Sequence, residues 1–257
     1  MHHIQKSIIL NLARTSPLRF SELQPPRIPN NTFSYHLKKL IAGGYVELTR
    51  SGYVATRKSL KLVAYGVNTN KAPSTPMMIS MVYVENNAGE VLLISRDHRP
   101  FQGWRCLPSG LVHRGETLDQ AASREMLEKT TIAAESELER VGVLEIRYVE
   151  QATQDIFLHT IAFIYKYKFT GDKRLLAGKA TRYGQLYWSD LNRSDILPEV
   201  YTVHELLASG IFSYQAARFD EPPTLPPLKS RSRQTQTSRE YPNRPYIAGP
   251  ASAAMPL

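Results

Sequence analysis

Three glutamates and an arginine recur at fixed intervals near the middle of the chain, and these residue types can carry phosphate chemistry. Glu116 is followed by Arg124 and Glu125, and Glu128 comes three positions later. Carboxylates placed side by side repel one another, and Mg²⁺ or Mn²⁺ with oxygen ligands suits such a group when the substrate is a pyrophosphate. The carboxylates therefore indicate a metal site, and a metal there would neutralise phosphate charge.

A helix predicted between residues 119 and 129 would position these side chains. Apolar or strongly helix-forming residues support it, namely Ala121, Ala122, Met126 and Leu127. On such a helix, Glu125, Glu128 and Lys129 are spaced at i, i+3 and i+4 and share one face. The helix would thus bring two carboxylates and one ammonium together.

The order of residues from Gly110 onward resembles the Nudix box, the loop-helix-loop motif of hydrolases that cleave a nucleoside diphosphate linked to another group. The resemblance implies that Glu125 and Glu128 ligate Mg²⁺ or Mn²⁺. It also implies that Gly110 and His113, in the loop of the box, border the substrate. The catalytic residues that it implies are Glu116, Arg124, Glu125 and Glu128.

Lys129 departs from the box, because the family has a carboxylate ligand at this position. An ammonium donates hydrogen bonds and accepts none, so it cannot ligate a metal, and it can pair with Glu125 one helical turn away. We therefore expect the metal-dependent chemistry to be weak or lost. The alternative is activity sustained by Glu125, Glu128 and a carboxylate outside the box, for which the candidates are Glu145, Glu150 and Asp155.

The family resemblance implies an α+β protein in which residues 77–215 form a Nudix α/β/α sandwich with a mixed sheet. Trp104, Leu107 and Pro108 match the lead into the box. Apolar runs predict strands at residues 77–84, 91–94, 138–150 and 155–167. A late strand at 187–188, a short helix at 189–191 and a last helix at 200–207 complete the expected domain.

The net charge of +9 is concentrated at the N-terminus of the chain. Residues 1–70 contain ten Lys or Arg and two Asp or Glu, which leaves a charge of +8 on this segment. A small basic domain attached to a nearly neutral one is typical of nucleic-acid binding, although a solvated basic surface gives the same count.

The pattern of residues 1–66 resembles the winged helix-turn-helix of prokaryotic transcription regulators. A first helix is expected from the spacing of Ile4, Ile8 and Leu12, and a short second helix is expected with Ser21 as its cap. A third helix follows a cap cluster at 30–32, and a hairpin, the wing, follows that helix. Such domains also bind proteins or RNA, which stay as alternatives.

Double-stranded DNA is the partner that this resemblance implies. The polar face of the third helix would present side chains suited to base edges and phosphates, and the wing would add two arginines. The DNA-binding residues predicted in this way are Asn31, Ser34, Tyr35, Lys38, Arg50 and Arg57.

The remaining sequence features limit the compartment and the domain boundaries. Cys106 is the single cysteine, which excludes an internal disulfide and a multi-cysteine zinc site. No segment approaches the length of a membrane span, so we expect a cytoplasmic protein without a membrane partner. Residues 67–76 are predicted to be a linker, and residues 216–257, rich in Pro, Ser and Arg, are predicted to be a disordered tail.

Two functions are consistent with this organisation. In the first, the Nudix domain binds, and at most slowly hydrolyses, a nucleoside-diphosphate-linked metabolite, and this binding is coupled to DNA binding by a transcriptional regulator. In the second, an active metal-dependent Nudix pyrophosphohydrolase carries an accessory winged-helix module. Communication between the domains requires that they dock or dimerise, so a homodimer is one expected state.

Overall fold

The structure, a computed structural model, describes residues 1–65, 75–134, 138–223 and 225 of the 257-residue chain. The described residues belong to one compact unit, Met1–Pro227. Most of the predicted linker and the predicted tail from residue 226 onward lie outside the described residues. In the described part of the chain, no helix is both long and apolar enough to cross a membrane.

The chain begins with a helical region that contains one hairpin. Its elements are α1 (His3–Arg14), α2 (Phe20–Leu23), α3 (Asn30–Ala42), β1 (Val46–Thr49), β2 (Gly52–Ala55) and α4 (Arg57–Ala64). Apolar residues recur every three or four positions in α1 and α3, so that Ile8, Leu12 and Phe33 are buried in one core. The basic N-terminal segment therefore has a hydrophobic core of its own.

Two local details of this region differ from the expectation. The N-cap of α2 is Arg19 rather than Ser21, because the Glu22 carboxylate accepts a hydrogen bond from the Arg19 backbone N–H at 2.7 Å. A further helix, α4, follows the hairpin directly. Its cap is Thr56, whose hydroxyl oxygen accepts a hydrogen bond from the Ser59 N–H at 3.4 Å.

A mixed sheet of nine strands follows within the described residues. The strands are β3 (Met77–Asn86), β4 (Val91–Arg96), β5 (Arg105–Cys106), β6 (Ser109–Leu111), β7 (Glu139–Val149), β8 (Ile156–Phe169), β9 (Ala180–Thr181), β10 (Gly184–Ser189) and β11 (Ser213–Asp220). The main order is β11-β7-β8-β3-β4-β10-β9, with β5 beside β4 and β6 beside β3. The pairs β3–β8 and β11–β7 are parallel and the others are antiparallel. The expectation of an α+β protein with a mixed sheet is confirmed.

The sheet is covered on both faces, because successive side chains of a strand point to opposite sides. In β3, Val82 and Val84 pack in the core that contains residues of α5 (Leu118–Thr130). Met81 and Tyr83, which alternate with them, pack in the core that contains residues of α6 (Pro198–Ser209). The predicted box helix therefore lies on one face of the sheet, and α6 lies on the other.

The C-terminal end of the sheet differs from the expectation in two ways. The short helix expected at 189–191 is absent from this described segment, because the Ser189 hydroxyl accepts the Leu191 N–H at 3.1 Å and Leu191 adopts a φ of 65°. The sheet also continues through β11 to Asp220, five residues beyond the domain end set at 215. The connection from β8 to β9 contains a 3₁₀ turn at Lys173–Leu175.

Helix α4 packs the N-terminal region directly on the sheet. The Lys61 ammonium donates a hydrogen bond to the Ile156 backbone carbonyl at 2.7 Å, and the Tyr65 hydroxyl accepts one from the His159 N–H at 3.1 Å. Leu60 of α4 packs against the core on the α6 side of the sheet. The two parts of the chain thus share packed side chains in addition to their covalent connection.

Candidate functional site

An ion pair between Glu116 and Arg124 fixes the loop of the box against α5. The guanidinium donates from Nε to Oε1 at 2.6 Å and from Nη2 to Oε2 at 2.9 Å, and Nη2 also reaches the Leu111 carbonyl at 2.9 Å. The hydrogen bonds from Arg124 lower the pKa of Glu116 to about 2. Two residues that are eight positions apart therefore form one rigid element of the site.

Glu125 lies against the backbone of Gly110 and is almost completely buried. Its side chain is 6% exposed, and its Oε1 accepts a hydrogen bond from Arg124 Nη1 at 2.5 Å. A Cβ at Gly110 would lie 2.1 Å from the Glu125 carboxyl carbon, which is far inside van der Waals contact. Glycine at position 110 is therefore required by the carboxylate, and the first residue of the box and its helix are packed as one unit.

Lys129 lies beside that carboxylate, as the spacing on the helix suggests. Its Nζ is 3.7 Å from Glu125 Oε2 and 3.3 Å from the centroid of the Tyr183 ring. Burial lowers the pKa of the Lys129 ammonium, and the neighbouring Glu125 carboxylate opposes that shift. The ammonium is thus held between a carboxylate and an aromatic face, which stabilises a cation.

Glu128 is the more accessible of the two predicted metal ligands. The Tyr183 hydroxyl donates a hydrogen bond to Glu128 Oε2 at 2.9 Å, and Arg182 Nη2 lies 3.7 Å from the same oxygen. Arg182 and Tyr183 belong to the turn between β9 and β10 and were not predicted as site residues. The sequence gives no local signal for them, because they approach α5 only through the pairing of β10 with β4.

The donor set does not fit a divalent metal. Among residues 1–65, 75–134, 138–223 and 225, no three His, Cys, Asp or Glu side chains converge as a metal site. Glu125 and Glu128 are both engaged by cations. Of the candidate extra ligands, Glu145 bonds His159 and Tyr214, and Glu150 pairs with Arg57. Asp155, in the β7–β8 turn, accepts the Glu150 N–H through its backbone carbonyl.

His113 is held by its backbone, and its side chain points to solvent. Its N–H donates to Glu116 Oε2 at 2.9 Å, whereas its ring is 60% exposed and lies 3.6 Å from the Glu116 carboxylate. The placement gives His113 a role in orienting Glu116 through the main chain. A contact between its ring and a substrate stays a prediction.

A cavity of about 200 Å³ lies next to the box, on the α6 side of the sheet. Gly110 forms part of its wall, so the cavity and the Glu125 carboxylate lie on either side of this glycine. The polar residues that line it were not predicted as site residues: Arg96, Ser109, Tyr148, Thr160 and Glu199. Val63 and Ala64 of α4 close one side. The N-terminal region therefore forms part of the wall.

Glu199 is the buried acid of this cavity. The Tyr148 hydroxyl donates a hydrogen bond to its carboxylate, and burial raises the pKa of Glu199. A mostly apolar cavity with a few polar groups of fixed direction is typical of small-molecule sites.

The residues predicted to bind DNA fall on two surfaces. Asn31, Tyr35 and Lys38 are exposed on α3, and Ser34 is half-buried between them. Arg50 is exposed in the turn between β1 and β2. These five residues lie on one helix and on the hairpin that follows it, and their contact with DNA stays a prediction.

The prediction that Arg57 lies in the wing is wrong, because Arg57 is the first residue of α4. Its guanidinium is 3.3 Å from Glu150, contacts Glu221 and lies 4.0 Å from the centroid of the Phe157 ring. The three partners lie in the β7–β8 turn, in β8 and just after β11. Arg57 therefore joins the N-terminal region to the sheet, and its charge is neutralised there.

Comparison with known proteins identifies the segment around the box. The family model of the NUDIX domain matches residues 76–188, a little less than half of the chain. This segment contains the box loop, α5 and the strands from β3 to most of β10.

Solved structures give similar matches at low identity. The NUDIX domain of Shewanella oneidensis NrtR, complexed with ADP ribose, is 18% identical, with 58% of this chain and 97% of that chain covered and a TM-score of 0.43. A MutT protein from Bacillus halodurans is 19% identical, with 56% and 90% covered and a TM-score of 0.45. A Francisella tularensis NMN adenylyltransferase/ADP ribose pyrophosphatase, complexed with AMP and a Mn ion, is 15% identical, with 70% and 53% covered and a TM-score of 0.44. Identities this low transfer no ligand or activity to this chain.

Proposed function

We propose, from the premise that residues 76–188 are a NUDIX domain, that this protein is a ligand-responsive DNA-binding regulator. The NUDIX domain binds a nucleoside-diphosphate derivative, with the heteroaromatic group in the cavity and the diphosphate beside the box. The N-terminal region binds double-stranded DNA. Occupation of the cavity changes the affinity for DNA, and hydrolysis of the ligand is slow or absent.

The observation that carries this proposal is the position of α4. This helix follows the hairpin directly and places Val63 and Ala64 in the wall of the cavity. A ligand in the cavity would touch α4, and a shift of α4 would move the hairpin that precedes it. A ligand that prefers one position of α4 changes the population of that position by its differential affinity.

The charge and shape of the N-terminal region support DNA as its partner. Almost the whole net charge of the chain lies in residues 1–70, and the exposed side of α3 carries Asn31, Tyr35 and Lys38. Arg50 extends this surface through the hairpin turn. Without Arg57, the predicted DNA-binding surface consists of α3 and the turn between β1 and β2. In a helix-turn-helix domain, a helix placed in this way inserts into the major groove.

The ion pairs of α5 support weak hydrolysis or none. Lys129 and Arg124 both lie against the Glu125 carboxylate, and two cations at one carboxylate repel an approaching divalent cation. The second candidate function, a metal-dependent pyrophosphohydrolase with an accessory domain, is favoured by the presence of Glu116, Arg124 and Glu128 in their box positions.

The test is a DNA titration with and without a ligand found by a thermal-shift screen. Nucleoside diphosphates, nucleoside diphosphate sugars, dinucleotides and NAD derivatives would be screened, and the best stabiliser would be added to a titration of the full chain with double-stranded DNA. Coupling between sites is typically about 1–3 kcal/mol, which corresponds to a change of roughly 5- to 150-fold in DNA affinity. A stabiliser that is hydrolysed rapidly and leaves DNA affinity unchanged would establish the hydrolase instead.

Two substitutions control for the route of this effect. Ala64→Trp would fill the cavity from the side of α4, and the ligand should then neither bind nor change DNA affinity. Ala177→Trp, on an exposed loop, adds the same ring away from the cavity and should behave as the unaltered protein. Equal responses in the two variants would contradict a role for the cavity.

A further inference from the structure

The box region contains as many cations as carboxylates. We define the charged cluster as six residues linked by ion pairs: Glu116, Arg124, Glu125, Glu128, Lys129 and Arg182. Its three carboxylates and three cations give a formal charge of zero. With a glutamate at position 129, the cluster would contain four carboxylates and two cations. Its formal charge would then be −2, which one divalent cation would neutralise.

The Lys129 ammonium has unused hydrogen-bonding capacity although it is largely buried. Its side chain is 17% exposed, and Glu125 Oε2 at 3.7 Å is too distant for a hydrogen bond. Within the described residues, no acceptor bonds Lys129, and no donor bonds the buried Glu125 Oε2. An ammonium has three donors, so Lys129 can bind an anionic acceptor in addition to its ion pair with Glu125.

The cavity next to Gly110 is where such an acceptor would enter. Arg96 and Gly110 line the cavity, and Lys129 lies 3.7 Å from the Glu125 carboxylate, which packs against Gly110. One cation therefore lines the cavity, and a second lies behind its Gly110 wall. A group in the cavity that carries a diphosphate would extend its phosphates toward them, because ionised donors bind phosphate oxygens strongly.

We propose that Lys129 takes the place of the divalent cation and that the charged cluster is a metal-independent binding site for a diphosphate. The ammonium bridges Glu125 Oε2 and a phosphate oxygen, and Arg96 donates to the second phosphate. Tyr183 fixes the ammonium through its ring and fixes Glu128 through its hydroxyl. This inference rests on the proposed function, since it assigns the ligand of the same NUDIX domain.

Calorimetric titration of the full chain tests this site. ADP, GDP, CDP, UDP and ADP-ribose would be titrated in EDTA and in excess Mg²⁺, and AMP would serve as the monophosphate control. The tightest diphosphate should bind with the same dissociation constant in both buffers, within about twofold, and more tightly than its monophosphate. Binding that needs Mg²⁺ would overturn the inference without any variant being made.

Substitution of the lysine provides the second measurement. Lys129→Met removes the charge and keeps the length of the side chain, and it should weaken binding in EDTA about 10- to 100-fold, the loss of one hydrogen bond to a charged group. The matched control is Lys179→Met, because Lys179 donates to Thr131 Oγ1 at 2.7 Å beside the C-terminus of α5 and lies outside the charged cluster. It should change the affinity less than about twofold.

The outcomes separate this inference from the proposed function. Unchanged affinity in Lys129→Met would overturn the inference, and Lys129→Gln provides the same test if the methionine variant fails to unfold cooperatively. Metal-independent binding that leaves DNA affinity unchanged would support the diphosphate site and contradict the regulator. No binding of any diphosphate in either buffer would overturn both.

Discussion

A methyl group added at Gly110 should destabilise the site, because the Glu125 carboxylate occupies the space. The Cβ of an alanine would lie 2.1 Å from the carboxyl carbon and 2.2 Å from each carboxylate oxygen. Ordinary contact requires more than about 3 Å, so the carboxylate must move by about 1 Å. Such a movement breaks the 2.5 Å hydrogen bond from Arg124 and alters the ion pair with Lys129.

The expected cost of Gly110→Ala follows from overpacking in a close-packed site. Overpacking costs about 1–3 kcal/mol, and for a unit of this size each kcal/mol lowers the melting temperature by about 2–4 °C. Thermal and urea unfolding would measure the change. In a Glu125→Ala background the same substitution should cost less than about 0.5 kcal/mol, since the clashing group is gone. A loss of stability of equal size in both backgrounds would refute the contact between Gly110 and Glu125.

Three further predictions concern acid stability, turnover and salt. The pKa of Glu116 is about 2 against an ordinary 4.5, so its ionised carboxylate stabilises the fold above pH 4.5 and loses this contribution as the pH falls toward 2. Glu116→Gln should therefore make the urea midpoint depend less on pH between pH 4.5 and 2. Lys129→Glu should raise Mg²⁺- or Mn²⁺-dependent turnover of nucleoside-diphosphate substrates above the low rate of the unaltered protein, and Glu128→Ala added to it should abolish the gain. Fast turnover by the unaltered protein that is insensitive to Lys129→Glu would show that the site is misassigned. Log DNA affinity should fall with log salt by about 0.9 per phosphate contact, and Lys38→Ala should reduce that slope by about 1; DNA retention that is absent even at low salt would exclude DNA as the partner.

The parts of the structure that follow from local sequence patterns were predictable. The box helix was expected at 119–129 and is α5 (Leu118–Thr130), because its apolar and capping residues are neighbours in sequence. The hairpin of β1 and β2 and the strands β3, β4, β7, β8 and β10 were likewise expected from apolar runs and turn residues, whereas β5, β6, β9 and β11 were not. The family model of the NUDIX domain matches residues 76–188, which overlap the stretch 77–215 where that domain was expected. The roles of the site residues and of the DNA-binding residues stay predictions.

The parts that depend on tertiary packing were not predictable. Tyr183 and Arg182 reach Glu128 from a turn more than 50 residues away, and only the pairing of β10 with β4 brings them there. Arg57 was assigned to the wing because its basic side chain follows the hairpin, whereas Thr56 starts a helix that turns it toward Glu150. Glu199 gave no signal, since its burial in the cavity depends on how α6 packs on the sheet.

Reciprocity between the two sites tests the central claim, that ligand binding and DNA binding are coupled through α4. The measurement is a calorimetric titration of the stabilising nucleotide into the full chain, free and saturated with double-stranded DNA. Thermodynamic linkage requires that DNA change the nucleotide affinity by the factor by which the nucleotide changes the DNA affinity, expected to be roughly 5- to 150-fold. Equal nucleotide affinity for the free and the DNA-bound protein would contradict the coupling and leave two independent binding functions on one chain.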